Sequence, residues 1–157
     1  MQKNSRDTAG VIAPPPLIYL GSLIIGFAIQ ARLPLPLLLP KTLRRFLGSL
    51  LLGGSVVLTA GALRTFQKAG ASVNPAMPTS ELVCEGPYQV IRHPLYLSLT
   101  MFYTAIALFG DAFWVMALLP IIIRIMNRGV IEREEGYLER KFGDRYRQYK
   151  ERVPRWF

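Results

Sequence analysis

The chain has 157 residues, 51% of them hydrophobic, and a formal net charge of +9 from 19 Lys and Arg against 10 Asp and Glu. That length gives one domain with a modest core, and a soluble domain so apolar would rarely carry so much charge; membrane spans with basic residues crowding their ends reconcile the two. The single cysteine, Cys84, excludes an intramolecular disulfide and a Cys-based zinc site, and no nucleic-acid module accompanies the basic pI of about 10.1, so no nucleic-acid partner is expected.

The N-terminal stretch Met1 to Pro16 is polar up to the run Pro14-Pro15-Pro16. It lacks the compact apolar core and small-residue cleavage site of a secretory signal, so the first apolar block reads as a retained span. That block runs from Leu17 to Ala31 and on to Leu39, residues 17–39, through Pro34 and Pro36. With Pro40 these prolines exclude a regular helix at its end and predict a bend or an interfacial stretch. The second block, Phe46 to Leu63, is an uncharged run near the length that crosses a bilayer. Ser22, Gly26, Gly48, Gly53, Gly54 and Gly61 are small enough to let neighbouring helices approach. The third and fourth blocks, 95–109 and 112–126, are slightly short, and Gly110-Asp111 between them reads as a tight hairpin turn. Arg124 is placed to snorkel to the membrane surface.

These blocks predict an all-α, polytopic transmembrane bundle of about four membrane helices, followed by a C-terminal amphipathic cytoplasmic helix. The whole chain, 1–157, is expected to be one integral membrane domain, with a loop over 78–96 and a tail over 128–157. The densely charged tail should be cytoplasmic, and the plasma (inner) membrane is the expected location. Arg32, Lys41, Arg44 and Arg45 then fall outside, against the positive-inside rule. Either the first block is re-entrant or interfacial, or the tail and central loop outweigh it.

The loop after the second span ends in Gly86-Pro87-Tyr88-Gln89-Val90-Ile91-Arg92-His93-Pro94-Leu95-Tyr96. Pro94 suits the first turn of a helix and keeps His93 extended, so that the chain's one histidine points away from the helix. Gly86-Pro87 reads as a turn returning Tyr88 toward the same place. Two phenols, an imidazole and a guanidinium thus gather at one membrane surface. An ordinary interfacial belt of Tyr and Arg would gather them too. A lone histidine with Cys84 makes a poor metal site, and none is expected.

In the tail, Ile131, Glu135, Leu138 and Phe142 share one helical face, and Val130, Glu134, Tyr137 and Lys141 the adjacent stripe. Glu135 therefore lies inside an apolar stripe. A carboxylate there needs a partner or a role, and Arg133, Arg128 or Lys141 are the candidate partners. Beyond a break at Phe142-Gly143, the spacing of Tyr146, Tyr149, Val153 and Trp156 makes an amphipathic end. It either lies in the membrane interface or packs over the tail helix and closes a site.

Together, Gly-Pro-Tyr-x-x-x-Arg-His-Pro-x-Tyr, a membrane hairpin, and Glu-Glu-x-x-Leu-x-x-x-Phe-Gly-x-x-Tyr-x-x-Tyr resemble the isoprenylcysteine carboxyl methyltransferase superfamily, which includes phospholipid methyltransferases and many small bacterial members. The resemblance spans Leu43 to Trp156. It implies S-adenosyl-L-methionine as cofactor, bound on the cytoplasmic side under the central loop and tail. The positions it assigns to cofactor binding are Leu82, Val83, Tyr88, His93, Pro94, Leu95, Tyr96, Glu134 and Glu135. The implied partners are membrane lipids and a hydrophobic small-molecule, lipid or lipidated substrate. Arg92 is the candidate for orienting an anionic acceptor. One departure stands out: prenylcysteine enzymes place an arginine one turn before the acidic pair, and Val130 stands there. That puts a prenylcysteine substrate in doubt. NADPH-dependent sterol reductases share Arg-His-Pro-x-Tyr, but usually with Asn after the proline, where this chain has Leu95. A membrane scaffold without activity is the other alternative.

Overall fold

A computed structural model of the chain describes residues 8–71 and 81–156. Residues 1–7 of the polar N-terminal stretch and residues 78–80 of the loop expected over 78–96 lie outside the described residues. Within them the regular elements are helical: α1 (Pro15–Arg32), α2 (Lys41–Ala69), α3 (Pro94–Phe109), α4 (Phe113–Met126), α5 (Glu132–Phe142) and α6 (Asp144–Arg152). A 3-10 turn, Gly86–Gln89, precedes α3, and a π-helical turn, Asn127–Ile131, joins α4 to α5.

The all-helical membrane architecture expected from the apolar blocks is present. Three helices are long and apolar enough to cross a membrane: Pro15–Arg32, Lys41–Ala69 and the continuous Phe113–Phe142. The apolar α3 has 16 residues, or ~24 Å at the usual rise of ~1.5 Å per residue, a little short of the ~30 Å hydrocarbon layer. Four spans is therefore an approximate count.

Several boundaries differ from those drawn on hydropathy. The first helix stops at Arg32, not at residue 39, because each Pro of the Leu33–Pro40 stretch removes a backbone donor. The second extends well past 46–63 at both ends. Charged Lys41, Arg44, Arg64 and Lys68 end an apolar window but are good helix formers, and the helix stops at left-handed Gly70 (φ 62°). The tail does not begin a new helix: α4 runs through the π turn into α5 without a break.

Packing is pairwise. α2 lies along α3, and α1 along α4, with α3 and α4 joined by the tight Gly110–Ala112 turn. Gly26 of α1 faces Val115, where a Cβ would stand 2.9 Å from backbone Cα. Gly48 and Gly54 of α2 admit Phe109 and Met101 in the same way, whereas Gly53 has nothing within 4 Å and so contributes no close approach. Ser22 instead hydrogen-bonds the Tyr103 hydroxyl at 3.2 Å. The main core gathers Tyr19, Tyr96, Tyr103, Val115, Ile122, Met126, Val130 and Ile131. Outward-facing Leu20, Ile24, Phe46, Leu50 and Val57 are exposed, as lipid-facing side chains are.

At one end of the bundle the Leu33–Pro40 loop caps the α3–α4 turn. Leu37 N donates to Asp111 Oδ1 (2.7 Å), Trp114 Nε1 to Leu33 O (2.8 Å), and Arg44 pairs with Asp111. At the other end Ile12 N donates to Gly129 O (3.2 Å). The segment leading through α1 therefore runs the length of α4, as one of the three helices long and apolar enough to cross a membrane. Arg44, one of the cations set against the positive-inside rule, sits in the first turns of α2 and pairs with Asp111 of the α3–α4 turn.

Candidate active site

The opposite end of the bundle carries the polar cluster. Gly86, at φ +57°, turns the chain where a Cβ would press on Thr65, and the 3-10 turn then buries Tyr88 against Phe66 of α2, edge to face at 5.4 Å. Pro94 sits in the first turn of α3, as its missing N–H allows. His93 just before it is 5% exposed and stacks on Tyr96 at 5.4 Å.

The tail closes on this loop through backbone and side chain alike. Arg92 N donates to Pro154 O (3.0 Å), and the Tyr149 hydroxyl donates to Tyr88 O (2.7 Å). Tyr146, Tyr149 and Val153 form a buried cluster with Leu82, Cys84, Leu138 and Phe142 around it. Of the two readings of the aromatic end, the one that packs over the tail helix is the one observed. Trp156 joins the main core and donates Nε1 to Asn127 Oδ1 (3.3 Å).

Glu135, 4% exposed, is the hub. Its Oε1 accepts from Arg92 Nη1 (2.8 Å), His93 Nε2 (3.1 Å) and Arg155 Nε (3.1 Å), and its Oε2 from Arg155 Nη2 (2.7 Å). The bond to Glu135 holds the Arg155 guanidinium above its ordinary pKa. A carboxylate against two guanidiniums only accepts, so His93 Nε2 carries the proton. Arg92, His93 and Arg155 hold Glu135 in place of the anticipated Arg128, Arg133 or Lys141. Arg133 donates to Gly10 O and Lys141 to the Tyr137 hydroxyl. Arg155 is the residue that sequence spacing missed, because it sits beyond a proline in non-periodic chain.

Glu134 is placed differently. It receives one hydrogen bond among the described residues, from the Tyr96 hydroxyl (2.7 Å), and His93 Nδ1 stands 3.9 Å away. With 23% of its side chain exposed, it keeps acceptor capacity for something else. Burial first, and then the charge of Glu134, raise the Tyr88 hydroxyl pKa, so Tyr88 belongs to the same cluster. Tyr88, His93, Tyr96, Glu134 and Glu135 are thus brought together. Pro94 is buried beneath them, and Leu95 gives its carbonyl to the Ser98 hydroxyl (2.7 Å). Leu82 and Val83 line a cavity of about 310 Å³ with Thr65, Lys68 and Ala69 of α2. Arg92 has Nη1 on Glu135 and 10% of its side chain exposed, so an anionic acceptor would have to compete with that carboxylate for it.

Below the cluster, between α2 and α3, a groove of about 350 Å³ is lined by Ser55, Thr59, Leu63, Ser98, Leu99 and Phe102. The Thr59 and Ser98 hydroxyls pair within it at 2.9 Å, so its few polar groups satisfy one another.

The sequence model of the family described as phospholipid methyltransferase matches residues 43–145, which is most of the chain and holds all of the cluster except Arg155 and the last aromatic turns. The chain belongs to the phospholipid methyltransferase family. A 63-residue stretch is 44% identical to an uncharacterized protein of Haemophilus influenzae, covering 40% of this chain and 98% of that one. A second similarity, 30% identity over 79 residues, is to the nickel-cobalt-cadmium resistance protein NccN of Alcaligenes xylosoxydans xylosoxydans. It covers 50% of this chain and 37% of NccN. No solved structure matches the chain. Membership of the phospholipid methyltransferase family makes methyl transfer in a multi-pass membrane protein the general activity. It accounts for a polar cluster held at one end of apolar helices.

Proposed function

We propose that the chain transfers a methyl group from S-adenosyl-L-methionine to a hydrophobic or lipid-like acceptor at the membrane surface. The observation that carries this reading is Glu134: a half-buried carboxylate oriented by Tyr96 and left with acceptor capacity. It stands beside an aromatic wall of His93, Tyr96 and Tyr88. A cofactor with an ammonium, ribose hydroxyls and a flat adenine fits that donor and acceptor set. The bound cofactor would supply an electrophilic methyl on a sulfonium.

The protein's own part is positioning and electrostatics. Glu134 accepts hydrogen bonds from ammonium or hydroxyl groups and offsets positive charge. Tyr88 and Tyr96 offer ring faces to a base, and His93 holds its ring parallel to Tyr96. Glu135 acts through others, fixing Arg92, His93 and Arg155 so that loop and tail stay in register. Leu82, Val83 and Leu95 form the apolar surround, and Pro94 fixes the helix start. Arg92 is proposed as a positioning residue in this arrangement rather than as the group that meets an acceptor. A carboxylate or thiolate acceptor needs no protein base, and an amine must lose a proton before attack. The α2–α3 groove opens toward the surface that lipid covers, which suits an acceptor with a hydrocarbon portion. The excess of cations at this end of the bundle favours its placement on the cytoplasmic side of the plasma membrane.

Incubation of purified protein with membrane extract and methyl-labelled S-adenosyl-L-methionine tests the reading. Label is expected in an organic-extractable product. A heat-inactivated sample that incorporates as much label as the native protein would remove the proposal.

A further inference from the structure

A second polar pocket lies on another face of the α4–α5 helix, and none of the roles above uses it. Pro120, Arg124, Arg128 and Glu132 follow one another at four-residue spacing along that helix. With Asn127 and Arg155 they line a cavity of about 340 Å³. Arg124 and Arg128 are exposed, and among the described residues neither side chain has a hydrogen bond or an ion pair. Arg155 spends Nε and Nη2 on Glu135, which leaves Nη1 for the cavity. Glu132 is the one acid in the lining, so three guanidiniums face one carboxylate. On the regular α5 helix Glu134 is two residues on from Glu132, or about 200° around the axis. The basic pocket and the face bearing Glu134 therefore point to opposite sides.

Its depth is the informative feature. Beside the pocket, one residue on from Pro120 and from Arg124, Ile121 and Ile125 are exposed on α4, an apolar strip suited to lipid chains. Toward the tail, α5 opens on the charged run Glu132, Arg133, Glu134 and Glu135, so the guanidiniums stand where apolar helix gives way to charged chain, as at headgroup depth. Three guanidiniums at that level, above an apolar strip, match a phosphodiester with hydrocarbon below it. Guanidinium forks bind phosphate oxygens in pairs, and the pairs strengthen away from bulk water. We propose that Arg124, Arg128 and Arg155 form a binding site for the phosphate of a membrane phospholipid whose acyl chains lie along Ile121 and Ile125. The site is independent of the methyl-transfer reading. It is linked to the cluster through Arg155, so its occupant bears on how firmly Glu135 is held.

Native mass spectrometry of the full chain released from detergent tests the site. The probes are phosphatidylglycerol, a diacylglycerol with the same chains, and inorganic phosphate. Phosphatidylglycerol adducts are expected at lipid concentrations at least tenfold below those needed for diacylglycerol. The Arg124→Ala/Arg128→Ala variant should lose that preference, and Arg124→Lys/Arg128→Lys should recover part of it, both with unchanged helical content. Equal binding of the two lipids, or an alanine variant that binds as the parent does, overturns the proposal. Displacement of the lipid by inorganic phosphate at the lipid's own concentration overturns it too, by assigning the pocket to a free anion.

Discussion

At the level of single residues, the adjacent acids of α5 have opposite lives. Glu135 is buried and saturated by Arg92, His93 and Arg155, whereas Glu134 holds one phenol and remains partly open. Removing the hub leaves two guanidiniums without their counter-charge, a change that costs ~3–5 kcal/mol at a buried pair. Glu135→Ala should therefore lower the melting temperature clearly and release the C-terminal segment, read as a change in Trp156 fluorescence. A melting temperature within a degree of the parent would show that the cluster does not hold loop to tail. The helical stripe already places Glu135 on the apolar face, so its need for a partner was legible in the sequence. The partners themselves were not. Nothing in the period-3.6 pattern links position 135 to Arg92 across a membrane hairpin, or to Arg155 beyond the Val153-Pro154 break. The nearby Arg133 looked equally suitable, but it is drawn off by the carbonyl of Gly10.

At the level of elements, hydropathy located the helices and misjudged their ends. Composition sees charged Lys41 and Lys68 as the edge of a span, while the backbone continues as long as helix formers follow. The π turn at Asn127–Ile131 is likewise invisible in residue pattern, because it is an accommodation to neighbours: Gly129 within it sits hard against Ile12. Small residues were legible as a class but not singly. Gly26 meets Val115 backbone, and Gly53 meets nothing. Gly26→Ala is accordingly expected to destabilise by ~1–3 kcal/mol through overpacking. Gly53→Ala should be neutral or stabilise by up to ~1 kcal/mol, since alanine is the better helix former. Thermal melts of the two variants in the same detergent decide this, and equal shifts would mean that α1 and α4 are not packed as described.

For the whole molecule, the bundle has two dissimilar ends. One is closed by the Leu33–Pro40 loop, with Arg44 on Asp111. At the other, the loop before α3 and the chain after α6 meet through Arg92 N and Pro154 O. The four apolar helices hold these distant stretches in register, which is how residues 88–96 come to lie against 134–155. Family membership gives this arrangement a general activity, and the pairing of a saturated with an open carboxylate gives it a specific proposal. Calorimetry of the purified protein in lipid or mild detergent addresses that proposal most directly, with S-adenosylhomocysteine and NADPH as the two ligands. The predicted result is binding of S-adenosylhomocysteine and not of NADPH, with Glu134→Ala weakening it at least tenfold while helical content stays unchanged. A folded parent protein that binds no S-adenosylhomocysteine, or a Glu134→Ala variant of undiminished affinity, would contradict it.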